Sequence, residues 1–339
     1  MMVGGLILSV FALSWLLTAC LRRYALSRSL MDVPNERSAH SVPTPRGGGV
    51  AIVVSFLAGL PVLAQLDILS LTTLYALLGG GFLVAVIGFA DDHGHIPARW
   101  RLIGHFLAGC WALYWLGGLA PLEIFNTRID LGWAGRLFAL MYLVWMLNLY
   151  NFMDGIDGLA SAEAVSVCLG ISLVYWVGGY GALAWSPLLL AAAVAGFLCW
   201  NFPPAKIFMG DAGSGFLGLI FGTMTLEAAW QNPQLLWSWI ILLAIFIVDA
   251  TWTLGRRLFR GEKIYEAHSS HGYQHAARRF GHKPVTLAVV TINIVFLLPI
   301  SLLVALKYLD ASNGLLLVFV PLSFMAIAFN AGRPKIVRM

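Results

Sequence analysis

Residues 72–90 read TTLYALLGGGFLVAVIGFA, and Asp91-Asp92 follow at once. As a helix, these uncharged residues rise about 28 Å, close to the ~30 Å of a bilayer's hydrocarbon core. A lipid-facing backbone must satisfy its own hydrogen bonds, so a helix is the form such a run takes. The alternation of a membrane barrel strand is missing. Working outward, further apolar runs stand at 2–21, 47–66, 101–119, 135–153, 158–178, 183–202, 213–231, 235–254, 285–306 and 314–331. Of all residues 60% are apolar and 11% charged, against roughly 25% charged in a soluble domain. The expected fold is all-α: a polytopic integral membrane protein of about eleven transmembrane helices forming one domain over 1–339.

Lys and Arg orient the chain. If the first run crosses outside to inside, the inner segments are 22–46, 91–101, 154–157, 203–212, 255–284 and 332–339. They hold 18 of the 21 basic residues; only Arg128, Arg136 and Lys307 fall elsewhere. This is the positive-inside asymmetry, and it supports an odd number of crossings with the amino terminus outside and the carboxyl terminus inside. Arg22-Arg23 follow the first run and no basic residue precedes it, so it reads as an anchor rather than a cleaved signal peptide. The net charge of +5 then reflects topology and attraction to anionic headgroups or phosphorylated substrates, not nucleic acid. The four cysteines lie in apolar runs without C-x-x-C spacing, which suggests neither a disulfide framework nor a zinc site.

With orientation set by basic residues alone, Asp91, Asp92, Asp154, Asp157, Asp211 and Asp249 all fall on the inner side. A solvated helix end accounts for any one of them, but poorly for all together on a chain so short of charge. Ionisable groups at membrane depth are costly and usually functional. The segment Asn148-Leu-Tyr-Asn151-Phe-Met-Asp154-Gly155-Ile-Asp157-Gly158 repeats a polar residue every third position, a single stripe if helical. Phe208-Met-Gly210-Asp211-Ala-Gly213-Ser214-Gly215 sets an acid and small residues at a helix start, where free N–H groups suit phosphate. Asp211 beside it suits Mg2+, which takes one or two carboxylates, waters and substrate phosphates.

Two more loops carry chemistry. His40-Ser-Val-Pro-Thr-Pro-Arg46-Gly-Gly-Gly49 reads equally as a phosphate cradle or as a hinge into the next run. His268, His271 and His275 stand in a strongly basic loop, with spacing that shares a helical face and is open to zinc with Glu266 or another loop. A diphosphate- or sugar-binding lid fits the positive charge better. Clustered acids, glycine-rich helix starts, a basic loop and a lipid-facing exterior suit phosphoryl-type transfer from a soluble phosphorylated donor to a lipid acceptor.

These motifs resemble a known family, the polyprenyl-phosphate N-acetylhexosamine-1-phosphate transferases of glycosyltransferase family 4, closest to the O-antigen-initiating branch. The likeness covers Pro34 to Gly49, Asp91-Asp92, Asn148 to Ala160, Asn201 to Gly215 and His268 to His275, in family order. It implies a UDP-N-acetylhexosamine donor, undecaprenyl phosphate as acceptor, and undecaprenyl-diphospho-sugar and UMP as products. It implies Mg2+, with Mn2+ as a substitute, and Asp211 as the metal ligand. Asp91, Asp92, His268 and His271 match the catalytic positions. Asn148, Asp154, Asp157, Asn201 and Phe208 match the nucleotide site. Arg46, Arg99, Arg101, His275 and Arg278 match phosphate- or sugar-binding positions. The implied location is the bacterial inner membrane, with a periplasmic amino terminus and a cytoplasmic active site. A homodimer is left open.

Adjacent helical residues point about 100° apart, so Asp91 and Asp92 are expected to have different roles. The peptidoglycan branch carries consecutive histidines and a lysine before Thr-Pro, whereas here Val42-Pro43 precede Thr44-Pro45, which argues against a muramyl-pentapeptide donor. A secondary transporter is the alternative from another class. It would show broken helices and an internal repeat, and neither is visible in the sequence. A CDP-alcohol phosphotransferase would need D-x-x-D-G-x-x-A-R, and Ser161-Ala162 follow Leu159-Ala160 instead.

Overall fold

The computed structural model describes residues 2–34, 42–94, 96–125, 127–262 and 268–334. Every apolar run is helical. In chain order the helices are α1 (Met2–Ser27), α2 (Val50–Gln65), α3 (Leu71–His93), α4 (Ala98–Leu116), α5 (Gly132–Met153), α6 (Leu159–Val177) and α7 (Trp185–Asn201). There follow α8 (Asp211–Gln231), α9 (Pro233–Leu242), α10 (Ala244–Phe259), α11 (Gly272–Phe280), α12 (His282–Ile292), α13 (Leu298–Ala305) and α14 (Ala311–Ala328). Two short ladders complete the described structure: β1 (Met31–Asp32) with β2 (Thr44–Pro45), and the hairpin β3 (Leu122–Ile124) with β4 (Thr127–Ile129).

By length and apolar composition, 6 helices are able to cross a membrane: α1, α3, α6, α7 with its preceding turn, α12–α13 as one, and α14. The bent pair α9–α10 brings the number to 7, and α2 is apolar but shorter, at 16 residues. These criteria therefore mark fewer crossings than the sequence reading. A multi-pass membrane protein is nonetheless what they describe. Large apolar side chains such as Phe82, Leu107, Trp133, Phe138 and Phe324 lie exposed on the outside, where lipid rather than water is the fitting solvent.

The centre of the bundle is α8, buried at every residue from Ala212 to Leu226. Small residues let its neighbours approach closely, as in other membrane helix pairs. A Cβ on Gly218 would sit 2.3 Å from the Met146 carbonyl oxygen of α5, and one on Gly88 of α3 would sit 2.5 Å from the Ala212 nitrogen. The second contact brings the end of α3 against the start of α8. Together with the end of α5 these form one end of the bundle, the acid end. The β3–β4 hairpin lies at the other end, between α4 and α5.

Two expectations change. Residues 235–254 are not one straight helix but two, meeting at Leu243 with a bend of 70°. The second half concentrates polar side chains (Asp249, Thr253, Arg256, Arg257), and its turn carries Asp249 to the histidine loop. A broken helix, a feature looked for in a transporter, is thus present. The polar stripe from Asn148 to Asp157 also stops short: α5 ends at Met153, Asp154 caps it, and Gly158 takes φ +72° before α6. Only Asn148 and Asn151 keep the helical spacing, because the two glycines after Asp154 favour a turn.

Candidate active site

Asp91 and Asp92, at the last turn of α3, diverge as neighbours on a helix must. Asp92 accepts the N–H groups of Asp211 at 3.0 Å and Ala212 at 3.3 Å, so its carboxylate caps α8 at the positive end of the helix dipole. Gly210 makes this approach possible: its φ is +79°, and a Cβ there would lie 2.6 Å from Asp92 Oδ2. The N–H groups read from the sequence as a phosphate seat are therefore occupied by a carboxylate of the same chain. Asp91 takes other partners, accepting Ile96 N–H at 2.7 Å and Arg101 Nη1 at 2.5 Å, and that Nη1 joins it to Asp211.

Asp211 lies between two guanidiniums. Arg46 Nη2 donates to its Oδ1 at 2.7 Å and also meets Asp92 Oδ1 at 2.8 Å, while Arg101 Nη1 reaches its Oδ2 at 3.1 Å. Burial pushes the Asp211 carboxyl up to about 6, Arg46 opposing the rise and Asp92 adding to it. Burial also holds Asp154 well above the usual carboxylate range, with the charge of Asp211 adding to it. Asp154 thus belongs to the same electrostatic cluster.

The strand-like segment before α2 aims Arg46. Phe208 donates its N–H to the Pro45 carbonyl at 2.8 Å, and Gly48 and Gly49 donate theirs to Phe208 and Met209 at 2.9 and 2.8 Å. Gly49 also packs on Gly213, where a Cβ would be 2.5 Å from the Gly213 Cα. With both N–H groups used and no room for side chains, Gly48 and Gly49 are packing elements, whereas a Cβ on Gly47 (φ +97°) would meet nothing within 4 Å.

Across Asp154 lies the histidine loop. His271 is the N-cap of α11, His268 precedes the helix and His275 lies within it, so the three do not share a helical face. Among the described residues no three His, Cys, Asp or Glu side chains converge to hold a metal, and Glu266 lies outside those residues. His268 stacks on His271 with centroids 4.8 Å apart, and burial pushes the His268 imidazole down to about 3. Tyr273 donates its hydroxyl to the Phe152 carbonyl at 2.9 Å, fastening the loop to the end of α5. Arg278 braces the loop through the Ser269 carbonyl at 2.8 Å.

The sequence model described as Glycosyl transferase family 4 matches residues 74–229. A Bacillus subtilis (strain 168) protein named a probable undecaprenyl-phosphate N-acetylglucosaminyl 1-phosphate transferase is 31% identical over 321 residues, 92% of this chain and 87% of that one. This chain belongs to glycosyl transferase family 4. A Moorella thermoacetica phospho-N-acetylmuramoyl-pentapeptide-transferase is 33% identical over 73% of this chain and 82% of its own. A Mycolicibacterium smegmatis decaprenyl-phosphate N-acetylglucosaminephosphotransferase is 29% identical over 80% and 75%. The protein is therefore an enzyme, a multi-pass membrane transferase of this family.

Within this family member the anticipated residues separate into groups. Asp91, Asp92, Asp211, Arg46 and Arg101 form the cluster, with Asp154 beside it. Asn201 is a structural brace: its Oδ1 accepts Gly158 N–H and the Ser161 hydroxyl at 3.1 and 2.9 Å, and its Nδ2 donates to the Ile207 carbonyl at 3.0 Å. Asp157 meets His282 at 3.1 Å and accepts Ala205 N–H at 2.9 Å. Asn148 donates to Val144 within α5 at 2.7 Å, and His275 meets the Arg333 carbonyl at 3.2 Å. Phe208 contributes its backbone to the Arg46 segment and leaves its ring half-buried.

Arg99 is exposed and lies over the Trp100 ring at 5.7 Å, away from the acids that Arg101 bridges. Arg101→Ala is expected to lower kcat/KM by about 10²-fold, the scale of one preorganised charge partner. Arg99→Ala should change it less than about threefold, as a solvated surface charge does. Equal losses in steady-state assays of the two variants would contradict this division.

The sequence counts Asp249 among the inner-side acids without assigning it a specific role, and it singles out nothing at His282. For Asp249 the signal was present, a carboxylate in an apolar run, but its partner is 22 residues away in sequence. His282 offered no signal beyond lying in a basic loop.

Proposed function

We propose that the protein transfers an N-acetylhexosamine 1-phosphate from a UDP-sugar to undecaprenyl phosphate, giving undecaprenyl-diphospho-sugar and UMP. The observation that carries this reading is Asp211 held between Arg46 and Arg101 at the meeting point of α3, α8 and the Arg46 segment. Relatives bearing polyprenyl-phosphate transferase names support the substrates. Initiation of O-antigen or a related polysaccharide is the role proposed, with eleven crossings and the acid end in the cytoplasm.

A lipid phosphomonoester has its second pKa near 6, so at neutral pH its oxygen is a ready nucleophile. It attacks the sugar-bearing phosphorus of the donor, the bond from that phosphorus to the bridging oxygen breaks, and UMP leaves with the electron pair. No proton has to be removed. The guanidiniums of Arg46 and Arg101 are about one-third exposed (37% and 32%), and exchange of carboxylate for phosphate oxygens is natural chemistry for them. The oxygen-only donor set at Asp211 and its neighbours fits a hard dication such as Mg2+ or Mn2+, with one or two carboxylates as its protein ligands. When bound, it would neutralise charge on the donor diphosphate. Asp211 is the residue proposed to hold it. The His268–Arg278 segment, with its imidazoles, Tyr273 and Gln274, is proposed to read the sugar.

Purified protein in detergent with undecaprenyl phosphate, Mg2+ and a panel of UDP-N-acetylhexosamines should release UMP only when lipid and donor are both present. Because one diphosphate bond replaces another, labelled UMP should return to UDP-sugar in the presence of lipid product. Uptake of a solute by proteoliposomes without UMP release would favour the transporter reading.

A further inference from the structure

Asp249 is a carboxylate in the second half of the broken α9–α10 pair, and four groups converge on it. Its Oδ1 accepts Gly272 N–H at 2.9 Å, the Thr253 hydroxyl at 3.2 Å and His271 Nδ1 at 3.3 Å; its Oδ2 accepts Tyr273 N–H at 2.8 Å. The acid therefore closes the N-terminus of α11 and holds the ring of its N-cap residue at the same time. His271 is 2% exposed. Its backbone N–H goes to Gln274 Oε1 at 3.1 Å, and its ring stacks between His268 and Tyr273. Phe152, two residues before Asp154, faces the same ring with centroids 6.3 Å apart. Every contact thus restrains the ring's plane, and one sets its proton.

We infer that Asp249 is a positioning residue which fixes the His271 ring and holds it as the Nδ1–H tautomer, with Nε2 as its basic nitrogen. Which nitrogen of a neutral imidazole carries the proton is decided by the partner of the other. A carboxylate on Nδ1 calls for the proton there and leaves the lone pair on Nε2. The inference rests on the proposed function for what His271 does, but the arrangement of proton and ring stands on geometry alone. It also gives the break at Leu243 a purpose: a straight helix would not carry Asp249 to the start of α11.

The test has two arms. In the first, protein with 15N-labelled histidine is examined by NMR at pH about 8, where an ordinary imidazole is neutral, with His271→Ala assigning the signal. His271 should show a protonated Nδ1 and a bare Nε2. In Asp249→Asn the amide cannot accept from both Gly272 and Tyr273, and the tautomers should mix. Thr253→Ala removes only one contact to the carboxylate and serves if Asp249→Asn does not fold; it should shift the same signal partway.

The second arm is a double-mutant cycle on UMP release. Asp249→Asn and His271→Ala should each lower kcat/KM by about 10²-fold, the scale of acid–base or orienting groups. The double variant should be no worse than His271→Ala, since Asp249 acts through that ring. A merely structural cap would cost activity in both backgrounds. Multiplied losses, a proton on Nε2 in the unaltered protein, or an unchanged His271 signal in the variants overturns the inference. A tautomer that follows Asp249 in a protein releasing no UMP would instead sink the proposed reaction and leave the arrangement standing.

Discussion

Asp211→Asn is expected to abolish transfer while leaving the fold at least as stable as before. The neutral amide is a weak partner for a hard dication and for two guanidiniums. The loss in kcat/KM should be about 10³-fold, roughly 4 kcal/mol of transition-state stabilisation. Stability moves the other way. Burial and the Asp92 charge hold the folded-state pKa of Asp211 up at about 6, above the ~3.9 of an unfolded chain. The folded protein then binds more protons than the unfolded one between these values, so this group's contribution to stability falls as pH rises through that window. Asparagine removes the charge that causes it. Thermal unfolding in detergent from pH 4 to 7 should show the Tm difference, variant minus parent, growing with pH. Near-parental turnover would remove Asp211 from the reaction, and a variant less stable at neutral pH would contradict the electrostatic account.

Gly218→Leu should prevent the bundle from assembling. A Cβ at this position meets the Met146 carbonyl oxygen at 2.3 Å and the Leu147 Cα at 2.7 Å. Both are backbone atoms of α5 and cannot swing aside, so the helices must separate. Overpacking against movable side chains costs about 1–3 kcal/mol; against backbone the cost should exceed that, a large share of a typical folding free energy. Because α3 and α5 both pack on α8 near the acid cluster, displacement here would also pull Asp92 from the α8 terminus. Gly255→Ala is the control, since a Cβ there meets nothing within 4 Å and alanine favours a helix by about 0.5–1 kcal/mol. Size-exclusion profiles after mild heating should lose the Gly218→Leu monodisperse peak and keep that of Gly255→Ala. A well-folded, active Gly218→Leu protein would show that α5 and α8 are not held this closely.

The roles of the acids show where sequence reading stops. Asp91 and Asp92 were expected to differ because a helix turns about 100° per residue, and they do: one goes to Arg101, the other to the start of α8. Which acid takes which partner was not legible, since it depends on α3 meeting α8 at Gly88 and Ala212. Asn201 shows the converse. Its motif pointed to nucleotide binding, yet its amide is engaged by backbone and a serine brought together by the turn before α6. Asp157 is similarly drawn to His282, 125 residues away.

Helical secondary structure, membrane residence and the gathering of acids at one end followed from the sequence, because each rests on local quantities. Run length, charge frequency and the position of a carboxylate relative to an apolar run require no knowledge of neighbours. Only the tertiary structure decided that the Gly48-Gly49 amides serve packing, that α8's first amides are capped by Asp92, that residues 235–254 bend at Leu243, and that Asp249 holds His271. Each of these turns on which donor meets which acceptor across a helix contact. A buried polar group must find a partner, but the sequence does not say which one, and packing geometry makes the choice.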